Sequence, residues 1–455
     1  MAHTFKGGIH PDDKKSATSG KAIELLPAPA QVVLPMSMHI GKPCEPIVKV
    51  GDHVYLGQKI ADSQAPVSSP IHASVSGTVV AVEPRPYSFG SEILSVVIEN
   101  DFKDEKDPSI HPLDIDSMTS EEIVQAVREA GIVGHGGATF PTSVKISSGL
   151  GKVDAVIING AECEPYVTSD HRIMLEYPWE VVGGGKLLAK IFGVPEVKLG
   201  VELNKQDAFP KLQEYLPEDG TVKLYPLVTK YPQGSEKHII KALTGREVPS
   251  GKLPADAGAA VFNTDTAAAI YRLFTTGMPA IRRIVTVSGS AIANPKNLEC
   301  RIGTPVENLI DACGGFVAPP NKLIMGGPMM GLAQYSVDVS VGKGTGAMLA
   351  FAGDEEKYEE NPQCIRCGKC VGVCPIRLEP VFMYKYLMKG DVDTWQNVLH
   401  GMDCIECGAC TYTCPARLPL THAFRLGKQE VNNARMAAKA KAEAEAKAAA
   451  EKKEA

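Results

Sequence analysis

Eight cysteines carry the clearest chemistry in this chain. They read Cys364-x2-Cys367-x2-Cys370-x3-Cys374-Pro375 and Cys404-x2-Cys407-x2-Cys410-x3-Cys414-Pro415, one ladder repeated after forty residues. Three thiolates at steps of three wrap one face of a cuboidal iron–sulfur cluster, and the fourth, followed by proline, ligates the other cluster. The spacing predicts two [4Fe–4S] clusters. Cys364, Cys367, Cys370 and Cys414 hold the first, and Cys374, Cys404, Cys407 and Cys410 the second. Zinc also uses Cys-x2-Cys pairs, but a closed four-ligand site explains neither the third cysteine at the same step nor the Cys-Pro in both copies. Disulfides are disfavoured because no secretory signal accompanies the cysteines. Cys44, Cys163, Cys300 and Cys313 stand outside the ladders and read as small buried apolar residues.

Something must feed electrons to such a module. The 455 residues allow three or four domains, at about 100–200 residues each. The net charge of −6 gives no electrostatic case for nucleic acid. No run approaches the roughly eighteen apolar residues that span a bilayer. A soluble protein of a reducing compartment is expected.

Residues 1–113 are rich in Pro, Gly, Val and Ser. Val48, Val50, Val54, Leu56 and Ile60 alternate with polar residues, which predicts half-buried strands. The wording VGDHVYLGQKIA … SPIHASVSGTVV resembles the lipoyl and biotinyl carrier domains, a small β-sandwich. Those carriers hold their group on a lysine at a hairpin tip, and the span from Asp62 to Ser69 has none. A scaffold is therefore expected, without lipoylation or biotinylation.

Thr119-x-x-Glu122 is a capping box opening a helix that Gly131 stops. A glycine loop follows, with Gly134, Gly136 and Gly137 able to bring backbone amides close to an anion and Lys145 able to add a point charge. It matches neither the dinucleotide fingerprint nor the Walker pattern. Val153–Ile158, Val197–Leu203 and Val222–Val228 read as apolar strands, with helices over 179–192 and 207–216 between them. This βαβαβ order predicts a parallel sheet with ligands beyond its carboxyl edge. Polar residues cluster there: Asn159, Glu162 and Glu164, then Asn204 and Lys205, then Lys230 to Glu236.

The segments GHGGATFPTSVK, NGAECEP, YPQGSEK and FNTDTAAAI resemble the flavin segments of the NADH-binding flavoprotein subunit of respiratory complex I. The resemblance implies FMN with NADH stacked upon it. It implies that Gly134, Gly136 and Gly137 line the cofactor and nucleotide, and that Lys145 contacts one of them. Asn159, Glu162 and Glu164 would bind FMN and the nicotinamide side. Tyr231, Gly234 and Glu236 belong to the second flavin segment, and Asn263 and Thr266 would hold the ribityl phosphate. Ala161 and Ser235 stand where that family has Asp and Glu. Hydride transfer needs no general base, so no acid–base residue is assigned.

Residues 281–350, closing on Met325-Gly-Gly-Pro-Met-Met-Gly331, resemble the soluble-ligand-binding β-grasp domain (SLBB) of the same enzymes. Gly342-Lys-Gly-Thr-Gly346 reads as a turn before a strand rather than a phosphate loop. Residues 355–428 form the two-cluster ferredoxin, with a helical hairpin between the ladders. Residues 429–455, mostly Ala, Lys and Glu, read as a solvated helix or a disordered tail. The fold class is thus multidomain α/β and β: a barrel-sandwich over 1–113, a Rossmann-like FMN/NADH domain over 114–280, a β-grasp domain and a helical ferredoxin.

This order of parts, opening on FKGGIHP, resembles the C subunit of the Rnf electron-transport complex over residues 4–428. The resemblance implies an NADH-dependent oxidoreductase subunit without a transmembrane span, peripheral on the cytoplasmic face of the inner membrane. Its partners would be the iron–sulfur B subunit and the membrane subunits, which move Na+ or H+, and indirectly ferredoxin. A cobalamin reductase of the propanediol-utilisation type and a flavin-less electron wire share some of these modules; the carrier-like opening argues against the reductase.

Overall fold

The computed structural model describes residues 2–353 and 362–454. The chain forms two units, Met1–Thr4 with His10–Glu355, and Phe5–Ile9 with Glu356–Ala455.

The first unit begins as a sandwich of two small sheets. One has Gln31–Pro35, Glu92–Asn100, Gly77–Pro86 and His53–Val54 as neighbours, and the other has Glu45–Pro46, Lys59–Asp62 and Ile71–His72. Their β-branched residues turn inward: Val32, Val54, Ile60, Ile71, Val79, Val96 and Ile98 are wholly buried with Leu34. The alternation expected from Val48 to Ile60 yields two short strands, His53–Val54 and Lys59–Asp62, while Val50 is exposed.

A four-stranded parallel sheet follows, in the order Val222–Leu227, Val197–Glu202, Ala155–Gly160, Ala259–Asn263. Ala155–Gly160 and Val197–Glu202 are apolar because helices cover both faces. Ala259–Asn263 pairs on the far side of Ala155–Gly160 from Val197–Glu202, so the connections run opposite ways from that strand. Its carboxyl end is a switch point, where open α/β sheets bind ligands. Asn159 and Asn263 are register partners there. Helix Ser120–Glu129 has both bonds of its capping box, between Thr119 and Glu122, and buries Ile123 and Val127.

The third body is a six-stranded mixed sheet with the helix Val306–Ala312. Its edge strand, Ile23–Leu25, comes from the N-terminal segment and lies parallel to Lys296–Arg301. Cys44, Cys300 and Cys313 are buried apolar-core residues. Cys163 is half-buried, and its sulfur accepts from the Gly234 amide at 3.3 Å.

In the second unit, Lys369–Val373 and Ala409–Tyr412 are short helices following equivalent ladder positions. Pro380–Leu387 and Val392–Asn397 form the hairpin between the ladders. Met383, Trp395, Leu420 and Phe424 make the core. The Ala/Lys/Glu segment continues the helix Leu420–Glu454, with Val431 its last buried residue among those described. No helix among the described residues is long and apolar enough to cross a membrane.

Candidate flavin–nucleotide site and cluster centres

The glycine loop leaves the helix Ser120–Glu129 and turns over residues 135–138, exposing Gly136, Gly137 and Ala138. A buried ionic group holds it from beneath. The His135 amide donates to Thr266 Oγ1 at 2.9 Å, and the His135 ring Nδ1 lies 2.8 Å from Asp265 Oδ2. Arg283, from the strand Arg282–Ser288, pairs with that carboxylate and donates to the His135 carbonyl at 3.2 Å. Arg272 adds a bond to Asp265 at 3.1 Å. Burial opposes ionisation of Asp265, but His135 and Arg283 hold its carboxyl well below the usual range. Burial, then Arg283, pushes His135 down to about 4. The imidazole is therefore neutral at working pH and donates Nδ1–H to Asp265.

Asn263 caps the helix Thr264–Thr276, accepting from the amides of Asp265 and Thr266. Its own amide donates to Asp170 Oδ2 at 2.6 Å. Asn159 donates to the Gly234 carbonyl at 2.7 Å, joining the first and second flavin segments. Lys145 meets Glu236 at 2.7 Å and donates to the Val261 carbonyl at 2.8 Å. Tyr231 is buried beside them in sequence, at a cis bond to Pro232.

The two glutamates of NGAECEP are engaged with backbone. Glu162 accepts from the Asp170 amide at 2.6 Å and the His171 amide at 3.3 Å, at the start of helix Ser169–Glu176. Glu164 accepts from the amides of Met329 and Met330 at 2.9 and 3.0 Å. It thereby fastens the Met325–Gly331 turn of the third body to the flavin loop. Burial pushes the Glu164 carboxyl up to about 7 against the pull of those two amides. Burial, then Glu162 and Asp265, raises Asp170 to about 7 as well.

Two buried lysines pin this loop. Lys15 Nζ takes the carbonyls of Glu162, Glu164 and Val167, and Lys205 takes that of Ala161 with the Glu202 carboxylate. Lys15 is not signalled by the sequence, where Asp12-Asp-Lys-Lys15 reads as a solvated charge run. Lys343, in the turn Gly342–Gly346, is likewise buried, donating to the carbonyls of Pro70 and Gly131. The glycine loop thus rests on parts of all three bodies of the first unit. The residues fit a flavin and a nucleotide: an exposed glycine turn at a parallel-sheet switch point. They also include Gln233, whose fully buried side-chain amide has no partner within the described residues.

In the second unit the ladders repeat each other's backbone. Arg366, Gly368 and Arg377 take φ of 57°, 72° and 61°, and Glu406, Gly408 and Arg417 take 57°, 77° and 54°. These left-handed turns aim amides inward: Arg366 and Glu406 donate to Cys364 and Cys404 Sγ at 3.4 Å, and Leu378 to Cys374 Sγ at 3.3 Å. Cys374, Cys404, Cys407 and Cys410 line one apolar pocket with Pro375, Ile376, Met383 and Phe424. Burial first, then neighbouring thiols including Cys374, pushes Cys407 and Cys410 up to about 12. Cys414 acts on Cys370 in the same direction, after burial. Among the described residues no three ligand groups close on a point as around a single ion. The four thiols lining that one pocket fit a cuboidal cluster, whose iron–thiolate bonds would require each thiol to lose its proton.

Four family descriptions match the sequence. They are the RnfC barrel sandwich hybrid domain over 3–103, the Nuo51 FMN-binding domain over 127–272, the SLBB domain over 284–333 and the 4Fe-4S dicluster domain over 363–438. The chain is 49% identical to the C subunit of the Na(+)-translocating ferredoxin:NAD(+) oxidoreductase complex of Acetobacterium woodii, covering 94% of this chain and 97% of the relative. It is 46% identical to the proton-translocating counterpart of Clostridium ljungdahlii, covering 84% and 83%. Identity to the C subunit of the ion-translocating oxidoreductase complex of Rhodobacter capsulatus is 42%, covering 86% and 76%. A looser likeness, TM-score 0.48 at 19% identity, is to an NAD+-reducing [NiFe]-hydrogenase, over 68% of this chain and 60% of that one. The chain belongs to the family of C subunits of the ion-translocating ferredoxin:NAD+ oxidoreductase, or Rnf, complexes.

Proposed function

We propose that this chain is the NAD(H)-exchanging subunit of an ion-translocating ferredoxin:NAD+ oxidoreductase. The observation that carries the reading is one chain holding both a glycine loop braced at a parallel-sheet switch point and a thiol-lined pocket for a cluster. Bound FMN supplies the conversion between two-electron and one-electron transfer. The chain's own work is placement. Gly134, Gly136 and Gly137 present backbone to flavin and nucleotide. Lys145 and Glu236 hold the loop edge, Asn159 and Gly234 join the two flavin segments, and Asn263 and Thr266 offer the start of a helix to the ribityl phosphate. Glu162, Glu164 and Tyr231 complete the wall. Cys364, Cys367, Cys370 and Cys414 would ligate the first [4Fe–4S] cluster. Cys374, Cys404, Cys407 and Cys410 would ligate the second. The partners would be an iron–sulfur subunit and membrane subunits, with ferredoxin reached indirectly. The chain would sit peripherally on the cytoplasmic face of the inner membrane.

The test is anaerobic reconstitution with FMN followed by NADH titration. Flavin absorbance bleaching at stoichiometric NADH supports the reading. Bound FMN that NADH never reduces would overturn it.

A further inference from the structure

The barrel sandwich has no established part in the chemistry, yet one of its loops is built onto the flavin loop. The Ile40 amide donates to the carbonyl of Thr139, within the glycine loop, at 3.2 Å. The loop is rigidly prepared for that contact. His39 is buried, and its Nε2 accepts from the Ser69 amide at 3.2 Å, so Nδ1 carries the proton and donates to the Ile40 carbonyl at 3.2 Å. Gly41 sits at φ +119°, where a Cβ would lie 2.0 Å from the Val67 carbonyl oxygen, so no other residue fits. The Lys42 amide donates to that same carbonyl. The surrounding fold is clamped to the flavin domain by Arg128–Asp62 at 2.8 Å, Lys59–Glu129 at 2.6 Å and the Lys343 ammonium.

What this scaffold presents is an isoleucine, 51% exposed, whose backbone is bonded to the residue that follows the exposed turn Gly136–Ala138. Two residues on, Lys42 is exposed, with Glu45 as its ion partner at 3.4 Å. A lone exposed isoleucine needs no explanation. One whose backbone is fixed by several separate interactions and bonded to a nucleotide loop is different. Fixing a loop costs conformational entropy, and a preorganised apolar contact with a cation beside it suits a ligand of flat rings and phosphates.

We infer that the loop His39–Lys42 is the outer wall of the dinucleotide site, with Ile40 packing on the nicotinamide dinucleotide and Lys42 facing its phosphates. The inference rests on the function proposed above and makes Ile40 a specificity residue supplied by another domain. It assigns the loop to the exchangeable dinucleotide rather than to the resident flavin, because Ile40 is exposed to solvent.

The experiment uses the full chain loaded with FMN and clusters, and titrates oxidised NAD+ calorimetrically without turnover. Ile40→Ala weakens NAD+ about 5- to 20-fold, the value of a truncated apolar contact. Ile40→Glu weakens it further through repulsion of the phosphates, and Ile40→Leu stays within about twofold of the parent. FMN affinity, read by fluorescence, and the thermal midpoint stay unchanged in all three. NAD+ affinity unchanged in both Ile40→Ala and Ile40→Glu, or FMN affinity falling as much as NAD+ affinity, overturns the inference. A parent protein that binds no NAD+ overturns the proposed function itself, which the variants alone do not do.

Discussion

Arg283→Met removes the cation that braces the glycine loop, and its effect should depend on pH in a definite sense. Arg283, Asp265 and His135 are all buried, and the guanidinium touches both the Asp265 carboxylate and the His135 carbonyl. Removing one partner of such a pair costs at most about 3–5 kcal/mol, and less here because Arg272 still meets Asp265 at 3.1 Å. In the parent, burial and then Arg283 hold His135 at about 4, so it stays neutral. Without Arg283, burial still holds the imidazole down, but the Asp265 carboxylate offsets more of that depression. A histidine whose folded pKa lies below its unfolded value of about 6.5 costs stability as pH falls through that value, and the less depressed histidine of the variant costs less there. The variant's deficit should therefore be smaller at pH 5.5 than at pH 8.5, by up to about 1 kcal/mol. Thermal release of FMN, followed by its fluorescence, reads the loop directly. At about 2–4 °C per kcal/mol, the variant should release flavin earlier at pH 8.5, by up to roughly 20 °C. A deficit below about 1 kcal/mol, or one constant with pH, would refute the reasoning.

Other consequences follow from the same contacts. Cys374→Ser should broaden or delete the paramagnetic signal of the second-ladder cluster and spare the first, with Cys414→Ser doing the reverse; the opposite assignment would sink the crossed pairing. Gly7, at φ +82°, would place a Cβ 2.8 Å from the Cys374 carbonyl oxygen. Gly7→Val should accordingly cost the second cluster, seen as loss of roughly half the iron, and full iron content would contradict it. Burial raises the Glu164 carboxyl from 4.5 to about 7. A raised carboxyl stabilises most below its unfolded value and loses that contribution as pH rises through the folded one. Glu164→Gln should therefore gain on the parent between about pH 4.5 and 7, by at most about 3 kcal/mol. Thermal midpoints at pH 5 and pH 8 test the sign.

The ladders are legible because their information is local. Eight cysteines at fixed steps specify a ligand cage whatever surrounds them, and the left-handed residues fall at matching positions in both copies. The parallel sheet is legible for the three strands that alternate with helical stretches between Val153 and Val228. Ala259–Asn263 is not, because Ala-Ala-Val-Phe-Asn is short and alanine-rich, and becomes a strand only through pairing with Ala155–Gly160. Lys15 and Arg283 are hidden for a related reason. A lysine in a run of two aspartates and two lysines and an arginine second in a strand look solvated until tertiary packing brings carbonyls and Asp265 around them. Ile23–Leu25 shows the same limit, since its partner strand, Lys296–Arg301, lies far along the chain.

The central claim is that electrons entering from NADH reach the clusters only through the flavin. Anaerobic protein with both clusters reconstituted should be titrated with NADH, with and without FMN, and frozen for electron paramagnetic resonance. The account predicts reduced-cluster signals in the FMN-loaded protein and none above background in the FMN-free protein. Clusters reduced equally without FMN, or never reduced with it, would contradict the account.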